Sequence, residues 1–408
     1  MPSRMRERTP QRVDPELALD HARLAIRRNW AGGVPGFEQW FAVELDSKPL
    51  VLHDLNGAEL FYEFTARRGK QIVGSIKASA SRILGVPVAA VEMGARRWDP
   101  ERATREARER ALANVQKGKV TGTELVCFSY PKVGVRVDVD DPQGTRSVIY
   151  DVSDLSEVRT FGADELEGNT SWSFYAEVAE PRAEEKAQRW RLAEQELEAV
   201  RKRGRVAFAT AFTDRELDKL RDLVIVKSRY PFISLYSSRV LKYGPRCSPH
   251  DCFMLYSQQT NVFCAVATGQ MILDFHRWPY TQDEIAAGMN TGAGGTSNPD
   301  QDAGYESLTR NTMTATYDTS ANWAEARSEI DANRPLKSGI PGHARACTGW
   351  KRQNLFLVAQ QPRRWLQIYD PWPWNADICQ GGAIVWEDWD TVTHTNFIYV
   401  RHRTSVCT

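Results

Sequence analysis

Ser257-Gln-Gln-Thr-Asn-Val-Phe-Cys264 leads directly into Ala265-Val-Ala-Thr-Gly-Gln-Met-Ile-Leu-Asp-Phe275. The second stretch is a continuous run with apolar residues at helical spacings, which predicts an apolar helix. Cys264 lies at or near the first turn of this helix, where the helix dipole and unpaired backbone N–H groups lower a thiol pKa from its free value of about 8.5. Gln258 precedes the cysteine by six residues and can return its side-chain amide to the same point.

Two predicted strands farther along the chain carry a histidine and a carboxylate at their ends. Gly342-His343-Ala-Arg-Ala-Cys-Thr-Gly349-Trp350 predicts a short strand that starts with an exposed histidine. Trp365-Leu-Gln-Ile-Tyr-Asp370-Pro371 predicts a strand that ends in a carboxylate, which the following proline fixes in a turn. The chain order is therefore Gln, Cys, His, Asp, with 79 residues from the cysteine to the histidine and 27 more to the aspartate.

This order, with cysteine at a helix start and His and Asp at adjacent strand ends, resembles the papain-like cysteine peptidases. The pattern is most similar to the bacterial branch that includes the double-glycine leader peptidases and compact type III effector proteases. The resemblance is confined to roughly residues 250–402. One departure is Ala265, because these relatives usually place Gly or Trp directly after the cysteine.

The resemblance implies a role for each residue of the pattern. Cys264 would be the nucleophile that forms a thioester, and His343 would be the general base that then protonates the leaving amine. Asp370 would orient and polarise His343 as the third member of the triad. Gln258 and the backbone N–H of Cys264 would form the oxyanion hole. Gln259 has the same chemistry, and Gln258 is preferred on spacing alone.

Each residue of the pattern also has an ordinary structural explanation. A cysteine on an apolar helix is usually a small hydrophobic residue, which is the competing interpretation of Cys264. His343 can cap a strand or satisfy a hydrogen bond in the core. Asp370 before proline can simply form a turn. Trp372 and Trp374 can either shield the His–Asp contact and line the cleft, or pack in the core.

Cys247-Ser-Pro-His-Asp-Cys252 invites a metal-site interpretation, because His250 lies between two cysteines. No second pair with zinc-like spacing lies nearby in the sequence, so Cys347 or Cys379 would have to be recruited by the fold. We therefore expect no metal and no organic cofactor. Cys252 is the second candidate nucleophile, although no glutamine precedes it at a suitable distance.

Composition excludes several classes of protein. The chain has 408 residues, 42% hydrophobic, with no run of about 18 apolar residues, so we expect no membrane span. Its 53 basic and 52 acidic residues leave a net charge of +1, so we expect no nucleic-acid partner. The start, Met1-Pro-Ser-Arg-Met-Arg-Glu-Arg, is charged and shows no secretory signal, so we expect a cytoplasmic protein whose seven cysteines are thiols or thiolates.

The N-terminal half has a different pattern. Asp14-Pro15 predicts the start of a helix that runs to about Asn29. Alternating segments then predict strands at 39–45, 49–53, 60–65, 132–139 and 147–152, a strand running into a short helix at 72–83, and an exposed helix at 100–116. Glu-Leu pairs at 59–60 and 124–125 suggest a repeat. Helices at 181–205 and Thr213–Leu223 follow, and the glycine-rich stretch Asn290–Tyr305 predicts a mobile loop that either borders the cleft or lies on the surface.

The sequence thus predicts an α+β protein in four parts: a disordered basic tail (1–13), one or two helix-plus-antiparallel-sheet modules (14–180), a helical connector (181–240) and a papain-like domain (241–408). The leading hypothesis is a cysteine peptidase with a peptide or protein substrate. The alternative is a catalytically silent papain-like module that binds a peptide during maturation of a peptide product. A third possibility is that the N-terminal modules act as a prodomain or inhibitory module.

Overall fold

The computed structural model describes residues 11–114, 118–142, 144–158, 166–167, 171–179, 183–204, 236–241, 252–354 and 363–403. The α-helices are α1 (Pro15–Ala31), α2 (Pro100–Ala113), α3 (Phe174–Ala179), α4 (Ala183–Gly204), α5 (Cys264–Phe275), α6 (Gln282–Gly288), α7 (Asn298–Leu308) and α8 (Trp323–Asp331). The strands of the N-terminal half are β1 (Glu44–Leu45), β2 (Leu50–Asp54), β3 (Glu59–Arg68), β4 (Gln71–Ser79), β5 (Val88–Met93), β6 (Lys119–Ser129), β7 (Lys132–Asp141), β8 (Gly144–Asp151) and β9 (Leu166–Glu167). Those of the C-terminal half are β10 (Tyr236–Val240), β11 (Thr296–Ser297), β12 (Met313–Asp318), β13 (Leu336–Ile340), β14 (His343–Gln353), β15 (Arg364–Asp370), β16 (Ala383–Asp388) and β17 (Asn396–His402).

Strands from both halves of the chain form one 15-stranded sheet. Its order is β12-β17-β13-β14-β15-β16-β5-β4-β3-β2-β6-β7-β8, with β1 on β3 and β10 on β14. The two halves meet where β16 pairs antiparallel with β5, so that Ile384 lies opposite Met93 and Glu387 opposite Ala90. The predicted α+β class is confirmed, and the backbone hydrogen bonds of the sheet run from one half of the chain into the other.

The apolar run after Cys264 forms α5, and residues 264–273 of this helix are all buried. A helix that is apolar all round must be enclosed by other elements. Here α5 packs against β14 on one side and against α6 and α7 on another. Its Val266, Met271 and Leu273 belong to a core that also contains Leu366 and Ile398 of the sheet.

Two hydrophobic cores cross the boundary between the halves. Trp365 and Trp386 of the C-terminal strands are buried in a core with Tyr62 and Phe64 of β3. A second core joins three residues of the C-terminal half to the N-terminal strands and α3; its C-terminal members are Ile340, Trp372 and Val392. Apolar burial is the main stabilising contribution in folding, so each half depends on the other for part of its core.

The structure differs from several local predictions for the N-terminal half. Arg12 and Val13, assigned to the disordered tail, are ordered: Arg12 pairs with Glu59 and Val13 is fully buried. The strand predicted at 39–45 is wrong over most of its length, because Glu38–Trp40 form a 3-10 helix and only Glu44–Leu45 are extended. This helix turns the chain so that Trp40 packs into the core.

Two further predictions have mixed outcomes. The mobile loop predicted at Asn290–Tyr305 is wrong for its second half, where α7 begins at Asn298 with Ser297 capping the N–H of Asp300. The helix predicted at 100–116 is present as α2, but one face of it is buried through Ala103, Ala107 and Ala111. The helix predicted at Thr213–Leu223, and Cys247 and His250, lie outside the described residues.

In the described part of the chain, no helix has both the length and the apolar character needed to cross a membrane.

Candidate active site

Cys264 is the first residue of α5 and is fully buried. Phe263, the residue before it, gives no side-chain cap to the helix. Backbone N–H groups of a first helical turn have no partner within the helix, and they favour a negative charge placed there. The side chain of Cys264 packs with Ala265 and with Ala344 of β14. The cysteine at the helix start therefore lies against the strand that begins with the predicted histidine.

His343 is positioned by a tight hairpin turn. The prediction that this histidine is exposed is wrong, because its strand packs against α5 and the side chain is fully buried. Pro341 and Gly342 form a two-residue connection between β13 and β14, in which Ile340 pairs with His343. Gly342 has φ of +65°, a left-handed conformation that glycine adopts without strain. The imidazole Nε2 of His343 lies 2.8 Å from Oδ1 of Asp370, whereas its Nδ1 is buried and has no hydrogen-bond partner in the described part of the chain.

Asp370 lies at the end of β15 with its carboxylate fixed by two donors. Oδ1 accepts the His343 Nε2 hydrogen bond and also the backbone N–H of Trp372, at 2.8 Å. Burial raises the pKa of Asp370, but the hydrogen bonds from His343 and from the Trp372 N–H, with the positive charge of Arg345, outweigh it and hold that pKa below its usual value. The carboxylate is thus an ionised acceptor for the imidazole N–H.

The environment favours a neutral His343 imidazole. Burial lowers the pKa of His343, and the nearby charges of Lys132 and Arg345 lower it further, against the opposing effect of Asp370. A neutral ring that donates from Nε2 leaves Nδ1 unprotonated. An unprotonated Nδ1 is the form that accepts a proton from a thiol, which is the chemistry expected of a general base.

The two candidate glutamines are in different surroundings. Gln258 is fully buried; its Nε2 donates to the carbonyl of Thr260 at 2.7 Å, and its Oε1 has no partner in the described residues. An amide nitrogen carries two hydrogens, so Thr260 leaves one of them available. Gln259 instead turns to the surface, where its Nε2 donates to the carbonyl of Ala376 at 3.3 Å. Of the two, Gln258 has the side chain that could serve a buried oxyanion.

Sequence reasoning missed the polar groups around the His–Asp pair. Arg345 and Glu387 form a buried two-bond pair at 2.7 and 2.9 Å, and Tyr130 of the N-terminal half lies 3.5 Å from Glu387. Arg345 had a detectable signal, because an arginine two residues after His343 lies on the same face of an apolar strand. Tyr130 had none, because only the folded chain brings it to this place.

A large groove opens at the loop that follows Asp370, and none of the four candidate site residues lines it. It has a volume of about 1130 Å³ and runs between the N-terminal strands and the loop that follows Asp370, where Trp374 and Asn375 line it. This volume exceeds the usual range of about 300–1,000 Å³ for small-molecule pockets. The backbone N–H of Asn375 donates to the carbonyl of Gln258 at 3.0 Å, so the groove wall is joined directly to the segment that precedes Cys264.

Within the described residues, no group of three or more His, Cys, Asp or Glu side chains is arranged to hold a metal ion. Cys252 is partly buried, Cys347 is buried in β14 and Cys379 is exposed. Burial raises the pKa of the Cys347 thiol to about 12, so it is a protonated core residue at neutral pH.

One segment of the chain matches a known class of protein. Residues 251–390 match the Peptidase_C39 like family. This confirms the resemblance of that segment to papain-like cysteine peptidases. Among solved structures, the chain is similar to the peptidase domain of Streptococcus ComA, a bi-functional ABC transporter involved in a quorum sensing pathway, at 12% identity and a TM-score of 0.26. That likeness covers 37% of this chain and 99% of the other. No curated protein matches the chain.

Proposed function

We propose that the protein is a cysteine peptidase that cleaves a peptide amide bond with Cys264 as nucleophile and His343 as general base. Asp370 orients the imidazole, and Gln258 with the backbone N–H of Cys264 stabilises the oxyanion. The family match over residues 251–390 supports this class of activity.

The reaction would run through a thioester. His343 Nδ1 takes the Cys264 thiol proton, and the sulfur attacks the carbonyl carbon to give a tetrahedral oxyanion. The C–N bond breaks as the imidazolium protonates the leaving amine. His343 then takes a proton from water, which attacks the thioester, and the acid product leaves as the thiol re-forms. One oxyanion donor such as Gln258 typically lowers the barrier by about 3 kcal/mol.

The observation that carries the proposal is the state of the histidine. Its Nε2 is held 2.8 Å from Asp370, while Nδ1 is left without a partner in the described part of the chain, on the strand that packs against the first turn of α5. His21 Nε2 and His276 Nε2 are also buried without a hydrogen-bond partner in the described residues. The feature that distinguishes His343 is therefore its bond to Asp370 beside the start of the helix that carries Cys264.

The proposal is tested by covalent labelling. The full chain is treated at pH 6 with iodoacetamide or an epoxide inhibitor of cysteine peptidases, and the adduct is mapped by mass spectrometry. We expect preferential labelling of Cys264, because free thiols with a pKa of about 8.5 react slowly at this pH. Cys379 is an exposed internal control and Cys347 a buried one. Labelling of Cys379 with none at Cys264 would contradict the proposal.

Peptidase activity is tested separately, by comparing wild type with a Cys264→Ala variant. Wild type and Cys264→Ala are incubated with candidate peptides, and cleavage products are detected by mass spectrometry. We expect cleavage by the wild type and none by the variant. Cleavage that survives in Cys264→Ala would assign the activity to another residue, with Cys252 the next candidate.

The burial of the four candidate site residues favours the second candidate function, a catalytically silent peptide-binding module. Cys264, His343, Gln258 and Asp370 are all 1% exposed or less, so a substrate reaches the sulfur only if the surrounding chain moves. A protein that binds a peptide in the groove but leaves Cys264 unlabelled at every pH would fit this function instead.

A further inference from the structure

The turn that carries His343 is held by donors from the other half of the chain. The indole Nε1 of Trp172 donates to the carbonyl of Pro341 at 2.8 Å. Nζ of Lys132 donates to the carbonyl of Gly342 at 3.4 Å. Pro341 and Gly342 immediately precede His343, so both backbone carbonyls of this turn are anchored by side chains of the N-terminal half.

The two donors are themselves fixed. Lys132 is the first residue of β7, directly after the turn that joins it to β6, and it is only 2% exposed. Tyr130, in that turn, is buried and packs against Phe174 with ring centroids 4.8 Å apart. Phe174 in turn contacts Trp172, at 5.8 Å between centroids. The turn of the β6–β7 hairpin is therefore packed in place rather than free in solvent.

Lys132 also contributes charge to the site. The charged groups that act on His343 are Asp370 at the end of β15, Arg345 on its own strand and Lys132 from the hairpin. From α5, Cys264 faces the same strand. The Asp370 carboxylate alone favours a protonated imidazole, and the ammonium of Lys132 opposes it. A general base must be unprotonated before it can act, so the lysine favours the working form of the histidine.

We propose that Lys132 and Trp172 are positioning residues for His343, which makes the β6–β7 hairpin and the segment before α3 working parts of the candidate active site. They act through the Pro341-Gly342 turn, and Lys132 acts also through its charge. The contacts to the turn before His343 are present whatever the protein does. Only the role of His343 in catalysis rests on the proposed function.

The charge effect is tested on the histidine itself. In a Cys264→Ala background, which removes the coupled thiol, ¹³C-histidine NMR follows the titration of His343, assigned by a His343→Gln variant. We expect Lys132→Met to move the His343 midpoint to higher pH, and Lys132→Arg, which keeps the charge, to restore it. Lys119→Met is the matched control, because Lys119 is exposed at the far end of the same hairpin. An unchanged midpoint in Lys132→Met, or an equal shift in Lys119→Met, would overturn the proposal.

The positional effect is tested on the rate of Cys264 alkylation at pH 7 in the otherwise wild-type chain. Trp172→Phe keeps a ring but loses the N–H, and we expect it to slow alkylation by about tenfold, the effect of 1.4 kcal/mol on a barrier. Faster alkylation in this variant or in Lys132→Met would mean that these N-terminal side chains block the site, and would contradict a positioning role. Because the NMR titration needs no activity, a shifted His343 midpoint together with an unreactive wild-type Cys264 would refute the proposed function and leave the charge effect standing.

Discussion

Three buried polar atoms without a partner in the described residues belong to three of the predicted site residues: Gln258 Oε1, His343 Nδ1 and Asp370 Oδ2. Buried polar groups in folded proteins are nearly always hydrogen-bonded, so each exception needs an explanation. Buried atoms elsewhere, such as His21 Nε2 and Ser129 Oγ, also have no hydrogen-bond partner in the described residues, so an unpartnered atom alone does not mark a site. At the candidate site, bound substrate or water can supply the missing partners. Sequence order and spacing identified these residues, whereas their unsatisfied atoms are a property of the folded chain.

The Asp370 carboxylate is expected to matter through the two hydrogen bonds that its Oδ1 accepts. Asp370→Ala removes the acceptor for His343 Nε2 and for the N–H of Trp372, so we expect Cys264 alkylation at pH 7 to fall by about a hundredfold, or 2.7 kcal/mol. Asp370→Asn keeps an oxygen that can accept both bonds and should lose less. Wild-type rates in both variants would show that the pair has no role in activating the thiol.

The buried carboxyl group of Asp151 is expected to make the free energy of unfolding depend on pH. Burial raises its pKa to about 6, so the stability that its protonated form contributes is present below the unfolded pKa of about 3.9 and is lost as the pH rises through 6. Asp151→Asn removes this loss, and thermal unfolding should show the variant more stable than wild type at pH 7.5 by up to about 3 kcal/mol, with a smaller difference at pH 4.

The control for this measurement is Glu109→Gln on the exposed face of α2. It should change the free energy of unfolding by less than about 0.5 kcal/mol at both pH values. An Asp151→Asn variant that is destabilised equally at both pH values would show that folding does not raise the pKa of Asp151.

At the scale of elements, the sequence pattern predicted the helices that depend on residues close together in the chain. The apolar run of α5 and the Asp14 cap of α1 were visible in the sequence, and both helices form there. The start of α7 was missed, although Ser297, Pro299 and Asp300 carry the cap and first-turn pattern, because the glycines before it favoured a loop. The β5–β16 pairing was not predictable, since an alternating strand has the same pattern whichever strand it pairs with.

Helix α4 was predicted to act as a connector or bracket, and one buried ion pair ties it to α1. Arg28 Nη1 donates to Glu196 Oε2 at 2.9 Å, and both side chains are buried. Removing one partner leaves an uncompensated buried charge, so we expect Glu196→Gln to lower the free energy of unfolding by about 3 kcal/mol. Glu198→Gln, on the exposed side of the same helix, is the matched control and should change it by less than about 0.5 kcal/mol. Equal small effects would mean that α4 is not bound through this pair.

At the scale of the whole molecule, the halves share a sheet, two cores and single contacts such as Lys351 Nζ to Asn29 Oδ1. The division at 181–240 remains a prediction from composition. A prodomain that is removed to activate an enzyme should leave behind a domain with its own complete hydrophobic core. Here, removal of the N-terminal half would expose Trp365 and Trp386, which are buried against it.

We therefore expect the isolated 240–408 piece to fail as a folding unit. Its β16 edge would be unpaired and its apolar face exposed, and such edges promote aggregation. Circular dichroism should show no cooperative thermal transition, and Cys264 should react no faster than a free thiol. A cooperative transition with faster alkylation than the full chain would instead support the inhibitory role of the N-terminal half.

Activation of the Cys264 sulfur by the imidazole of His343 is the step on which the proposed reaction depends. Its most direct test is the rate of Cys264 alkylation by iodoacetamide from pH 4 to 9, compared between wild type and His343→Ala. We predict a wild-type midpoint well below the free-thiol value of about 8.5, and a slower reaction with a higher midpoint in the variant. Identical profiles in the two proteins, or a Cys264 that reacts in neither, would contradict it.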